Sequence, residues 1–300
     1  MEPAVVCYGE IGVDNLIRVD RLPTPEVAVF PTADTIHVGG AAANTAVWLA
    51  RWGIPTRLAG NAIGCDDYGA RLWGWLSEHP ALDLSRVERR GEVVTPFCRV
   101  LVTPDAERSF LIFGYPQTPK TPLTADILGG ARFLALDLYG GPERLNAARL
   151  AHESGVQTVI GDVVALDHPA LPYTDIACNS AAFIRDSFPG VDALEHARRL
   201  QAISRGIVIL TDGPRPAHLL DRDGSLITAQ PPPVEAVDAT GAGDAFRAGL
   251  LAALLRGLPL AEALRWGVAA GALKVGFLGA ATHVPPLEAV TALAGAIRAA

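Results

Sequence analysis

Lysine is almost missing from this chain. Lys120 and Lys274 are its only two lysines, and the other basic residues are arginines. A phosphate site built from such a chain must rely on backbone N–H groups, a metal ion or a few arginines. Positive charge is short as well: 25 basic against 32 acidic residues leave a net charge of −7. That argues against nucleic acid as a partner, because phosphate neutralisation dominates such binding. Cysteine is sparse, and Cys7, Cys65, Cys98 and Cys178 share neither metal-ligand nor Cys-x-x-Cys spacing. Reduced thiols in a cytoplasmic protein are the simplest account. No apolar run is long enough for a membrane span: the most apolar stretch, 245–281, is broken by Arg256, Glu262, Arg265 and Lys274. The start of the chain, with Glu2 and Glu10 around a short apolar run, is unlike a signal peptide. The first strand is not followed by Gly-x-Gly-x-x-Gly, which argues against a nicotinamide dinucleotide site.

What is present is a large apolar fraction, 50% of 300 residues, enough for a sizeable core. Val-, Ile- and Leu-rich runs predict strands at Ala4–Ile11, Thr56–Ala62, Phe133–Leu138, Thr158–Val163, Asp175–Cys178 and Gly206–Thr211. They are apolar on both faces, as in a parallel sheet covered on both sides. Helical patterns at 41–52, 66–78, 142–154 and 191–204 alternate with them, and helices are predicted at 242–256, 260–276 and 286–299. The alternation predicts one doubly wound α/β domain over residues 1–300, its mostly parallel sheet flanked by helices. Two segments break the rhythm. Residues 15–37 and 92–113 alternate apolar and polar residues around Leu22-Pro-Thr-Pro25 and Thr103-Pro-Asp-Ala106. They predict a small separate β-sheet that acts as a lid and excludes water. A further hairpin is predicted over His218–Ala229, turning on Asp221-Arg-Asp-Gly224.

The chemistry concentrates in Asp238-Ala-Thr-Gly-Ala-Gly-Asp244, which leads straight into an apolar helix. A small-residue turn at a helix start leaves N–H groups unpaired at the positive end of the helix dipole. That geometry attracts a phosphate. A carboxylate beside bound phosphate would repel it, so Asp244 points to a base rather than to simple anion binding. Capping by Thr240 with glycines for a tight turn is the plain alternative. Val38-Gly-Gly-Ala-Ala-Ala-Asn44 again joins small residues to a helix start. Gly39 and Gly40 suit a hinge, and Asn44 offers a donor and an acceptor to a hydroxyl. Asp14 follows the first strand, where ligands of open α/β sheets sit. Asn179 and the turn Thr211-Asp-Gly213 close two further strands, and Asp162 is another strand-end carboxylate.

Together these segments resemble the ribokinase-like, or PfkB, family of carbohydrate and nucleoside kinases, along essentially the whole chain. The motifs that carry the resemblance are Gly39-Gly-Ala-Ala-Ala-Asn44 with Gly64-Cys-Asp-Asp-Tyr-Gly69, and Asp238–Asp244. The resemblance implies Asp244 as catalytic base and Gly241, Ala242 and Gly243 as the anion hole. It implies Asp14, Gly39, Gly40 and Asn44 as holders of substrate hydroxyls, and Thr211 and Gly213 as lining of the nucleotide site. Asn179 would lie near magnesium-bound phosphates of ATP. Asp238 and Thr240 fall where many members hold a monovalent cation such as K+. Two positions depart from the family pattern. Asn179-Ser-Ala-Ala182 has alanine where a glutamate organises magnesium through water, and Pro216 stands where the nucleotide turn usually ends in glycine.

The expected activity is ATP-dependent phosphorylation of a primary hydroxyl of a sugar or sugar-like compound. A nucleoside kinase is the nearest alternative, with Phe30, Phe97, Phe110 and Phe113 of the lid segments available to line a base. A sugar- or nucleotide-binding regulator with weakened catalysis is another, favoured by Ala182. The open edges of a lid sheet also predict a homodimer through the lid.

Overall fold

The computed structural model of the chain describes residues 2–204 and 206–298. In chain order the elements are β1 (Val5–Gly9), β2 (Gly12–Arg18), β3 (Ala33–Gly39), α1 (Ala41–Arg51), β4 (Thr56–Gly60), the short β5 (Ile63–Gly64) and α2 (Asp67–Ser77). Then come β6 (Leu82–Arg86), the short β7 (Arg89–Arg90), β8 (Phe97–Val102), β9 (Arg108–Phe113), α3 (Ala125–Leu128), β10 (Phe133–Leu136) and α4 (Pro142–Glu153). The last half holds β11 (Gln157–Gly161), β12 (Ile176–Ser180), α5 (Ala181–Ser187), α6 (Ala193–Ser204), β13 (Ile207–Asp212), β14 (Arg215–Leu220) and β15 (Leu226–Ala229). It ends on α7 (Ala242–Leu255), α8 (Leu260–Lys274) and α9 (Leu287–Ala296).

A nine-stranded sheet runs in the order β15-β14-β13-β12-β11-β10-β1-β4-β6. Its seven strands from β13 to β6 pair in parallel, and only β14 and β15 join antiparallel at one edge. The central strands are buried on both faces, so their sequences are mostly apolar up to their carboxyl ends. One core layer packs α1, α7 and α8 on one face, with Trp48, Leu49, Phe246 and Leu250 fully or nearly buried. The other face carries α4 and α6 through Ala147, Ala151, Ala197 and Leu200. Each strand and helix expected above is present, with ends shifted by a few residues; position 299 of the last expected helix lies outside the described residues. Strand β6 was not anticipated. Its Leu82-Asp-Leu-Ser-Arg86 is half-polar because it is the sheet edge.

The two rhythm-breaking segments meet in a separate four-stranded sheet, β3-β2-β8-β9. β2 and β3 pair antiparallel, β8 and β9 form the hairpin, and β2 joins β8 in parallel. Leu16, Cys98, Val100 and Val102 make its own small core against Leu278. Phe110, Leu111, Ile112 and Phe113 of the edge strand β9 remain exposed. Among the described residues no helix is long and apolar enough to cross a membrane.

Candidate active site

Helix α7 packs against α1 and α8. Its N-cap is Gly241, with φ of 75°. Only glycine enters that left-handed region without strain, and a Cβ there would also collide with Ala280. The Ala242 N–H turns back to Ala239 O at 3.2 Å, while the N–H groups of Gly241 and Gly243 meet no acceptor among the described residues. A Cβ on Gly243 would meet nothing within 4 Å, so this side of the turn stays open to an approaching group. Asp244, one residue on, is buried. Asn44 Nδ2 donates to its Oδ2 at 2.9 Å, and the Arg247 guanidinium donates to its Oδ1. The tertiary fold thus joins two motifs that are 200 residues apart.

In the small sheet, β2 and β3 place Gly12 opposite Gly39 and Asp14 opposite His37. Gly39 lies so close to Asp14 that a Cβ would strike its carboxylate. Gly40 is the N-cap of α1 with φ of 89°. Asn44, in the same helix, is buried, and its Oδ1 accepts no hydrogen bond among the described residues. A buried amide oxygen without a donor suits an incoming hydroxyl.

Further along the carboxyl edge, Asn179 is the penultimate residue of β12. Its Nδ2 donates to Val163 O at 2.9 Å, and its buried Oδ1 has no partner among the described residues. Thr211, the penultimate residue of β13, donates to Asn179 O at 3.3 Å. Gly213 turns into β14 with φ of 58°, beside Asp212, which pairs with Arg185 and Arg215. From β1 to β13 is four strand spacings, roughly 19 Å. The edge is therefore long enough for a small alcohol at one end and a nucleotide at the other.

Asp238 holds the turn together. Its Oδ1 accepts from Thr240 N at 2.8 Å and from Thr240 Oγ1 at 2.6 Å, and its Oδ2 accepts from Gly279 N at 2.9 Å. From the small sheet, Arg108 reaches across to donate to Ala239 O at 2.5 Å. Lys274 donates to Asp238 O at 2.6 Å and to Phe277 O at 3.0 Å.

Burial sets the electrostatics. It pushes Asp244 up to about 6, and the Arg247 charge and the Asn44 hydrogen bond oppose it. Burial pushes Asp14 up to about 8, helped by the negative charges of Asp244, Asp238 and Glu10. At neutral pH Asp244 is therefore mainly ionised and Asp14 mainly neutral. Two nearby carboxyl groups with separated titrations can take different roles, one accepting a proton and one donating a hydrogen bond.

Several residues of this region escaped the sequence analysis. Asp137 accepts from Glu10 N at 2.8 Å and from Arg144 Nε at 3.2 Å. It sits just past β10, where the strand-end rule that found Asp14 would have found it as well. Arg247 stands three residues after Asp244, the spacing at which helix side chains meet. Lys274 has no local signal, since its partner Asp238 is 36 residues away.

The model of the pfkB family carbohydrate kinases matches residues 2–286. A probable chloroplastic fructokinase of Arabidopsis thaliana is 28% identical, over 96% of this chain and 81% of the relative. A nucleoside kinase of Methanothermobacter thermautotrophicus is 27% identical, over 94% of this chain and 92% of the relative. Among solved structures, Arabidopsis thaliana ribokinase complexed with ribose and ATP superposes with a TM-score of 0.82 at 22% identity, covering 98% of this chain and 99% of that one. The architecture is the ribokinase fold, and the chain belongs to the pfkB family of carbohydrate kinases, which are phosphotransferases.

Proposed function

We propose that the chain is an ATP-dependent kinase that phosphorylates a primary hydroxyl of a sugar or sugar-like compound. The observation that carries this is the start of α7. There a buried carboxylate, Asp244, adjoins two N–H groups without acceptors, at Gly241 and Gly243. Asp14 and Asn44 hold the substrate hydroxyls, with Gly39 and Gly40 letting the chain pass close by. Asp244 accepts the proton of the reacting hydroxyl as its oxygen attacks the γ-phosphorus. The bond to the β,γ-bridging oxygen breaks, and ADP leaves. The N–H groups of the 241–243 turn stabilise charge that spreads over the phosphoryl oxygens. Thr211 and Gly213 border the nucleotide, and the small sheet acts as a lid through Arg108.

Among the described residues no group of three or more His, Cys, Asp or Glu side chains could hold a metal ion. Mg2+ keeps waters and substrate phosphates as ligands and needs few from protein. The buried, unpaired Oδ1 of Asn179 fits that demand, as an acceptor for a metal-bound water. Bound there with ATP, Mg2+ would neutralise charge on the phosphates.

A nucleoside substrate needs aromatic or apolar lining for its base. Phe97 and Phe113 stack on each other at 4.6 Å, with Tyr68 edge-on to Phe97 at 5.4 Å. Phe97 is engaged between the other two rings and packs against the main core, which leaves it less free to line a base and favours the smaller sugar. An ADP-release assay across a panel of sugars and nucleosides tests the proposal. Turnover is expected with a sugar that carries a free primary hydroxyl. Tight sugar binding with no turnover at any magnesium concentration would instead support a regulator.

A further inference from the structure

Lys274, one of only two lysines, ends α8 with a fully buried side chain. An ammonium taken out of water costs several kcal/mol unless its donors are met. Here two of them are met by hydrogen bonds, both to oxygen. Two backbone carbonyls, Asp238 O and Phe277 O, accept at 2.6 and 3.0 Å, and the Asp238 carboxylate lies 3.7 Å away. The Phe277 ring centroid is 4.9 Å from Nζ. Two carbonyls and a carboxylate are the hard oxygen donors that an alkali cation takes.

Their place in the fold gives the cluster a task. Asp238 ties Thr240 on one side and Gly279 on the other. Gly279 precedes Ala280, the residue against which Gly241 packs. The cation therefore braces the loop at 277–280 and the turn at 238–243 against each other. Those are the segments that aim the Gly241 and Gly243 N–H groups. A second cation in the same buried cluster would face the Lys274 charge at close range, with little solvent to screen it.

We infer that Lys274 is a built-in monovalent cation: its ammonium does at the Asp238 turn what a diffusible K+ would do, so this chain needs none. Lys274 is a positioning residue, acting on the turn and not on the reacting atoms. Its effect on turnover rests on the kinase function proposed above; its effect on stability does not.

Thermal melting in KCl, NH4Cl and N-methylglucamine chloride at matched ionic strength tests this. The wild-type chain is expected to melt at one temperature in all three salts. A saturable rise of its melting temperature specific to K+ would overturn the assignment. Lys274→Ala vacates the ammonium position. This variant is expected to melt lower in N-methylglucamine chloride and to regain about 3 °C or more, saturably, in KCl or NH4Cl. A folded Lys274→Ala chain indifferent to the three salts would overturn the assignment too. Lys274→Met fills the same space without charge and is expected to ignore K+; rescue of this variant by K+ would count against the proposal. If Lys274→Ala does not fold, the wild-type comparison decides alone. The melts involve no phosphoryl transfer, so a failed substrate panel leaves them valid. With a substrate in hand, K+ is expected to raise turnover of Lys274→Ala on the order of tenfold and to leave the wild type unchanged.

Discussion

Both α1 and α7 start on a glycine with positive φ, 89° at Gly40 and 75° at Gly241, followed by small residues. Neither N-cap makes a side-chain hydrogen bond. Their surroundings differ. At α1 the Ala43 N–H donates to Glu10 O at 3.3 Å, and a Cβ on Gly40 would collide with the same carbonyl. That start is crowded by the loop after β1, although the N–H groups of Ala41 and Ala42 meet no acceptor among the described residues. At α7 the Gly243 N–H meets no acceptor among the described residues, and the space beside Gly243 is empty of neighbours. One local pattern thus gives a start crowded by a neighbouring carbonyl in the first place and one with open space beside it in the second. The glycines permit both, and the neighbours decide which.

The widest gap between the two starts should appear at their polar residues. Asp244→Asn removes the proposed base but keeps the shape and a partner for Asn44. Turnover is expected to fall on the order of a hundredfold or more, with sugar binding largely kept. Near-wild-type turnover of that variant would remove Asp244 from the mechanism.

A smaller effect separates the glycines. Gly40→Ala is expected to lose on the order of 2–3 kcal/mol of stability, from left-handed strain and the clash with Glu10 O. Gly243→Ala is expected to keep stability within about 0.5 kcal/mol. Its methyl group would crowd the approach to the turn and lower turnover on the order of tenfold. Thermal melts and kinetics on the two variants would break the comparison if the pattern came out reversed.

The smallest expected change is a shift in pH dependence. Asp244 must be ionised to accept a proton, so kcat/KM should rise with pH through about 6. Arg247 is a positive charge that favours the ionised form. In Arg247→Met the carboxylate loses that support and its titration moves upward, so the acid limb should shift to higher pH by about one unit. A limb that stays in place would mean that another group governs it.

Much of the fold was legible in the chain because the central strands are buried on both faces, which leaves an unbroken apolar record at Val5–Gly9 or Ile207–Leu210. The edge strand β6 left no such record, since Asp83, Ser85 and Arg86 are partly solvated. The site divides in the same way. The turn at 238–244 was legible because the φ demands and the helix start are properties of consecutive residues. The hydrogen bond from Asn44 to Asp244 and the contact of Glu10 with Asp137 span 200 and 127 positions. No periodicity or spacing reports such a pair.

By itself, the amino-acid sequence determined the alternation of strands and helices, the two glycine turns and which residues are candidates for phosphoryl chemistry. Those follow from short-range rules of backbone freedom and side-chain periodicity. Only the tertiary structure decided which glycine turn stays open and how Asp244 and Asp14 divide their protonation. It also decided that the scarce lysine at 274 lies among the oxygens of Asp238 and Phe277. These outcomes depend on burial and on charges brought together from distant parts of the chain, which exist only once the sheet and its helices have closed.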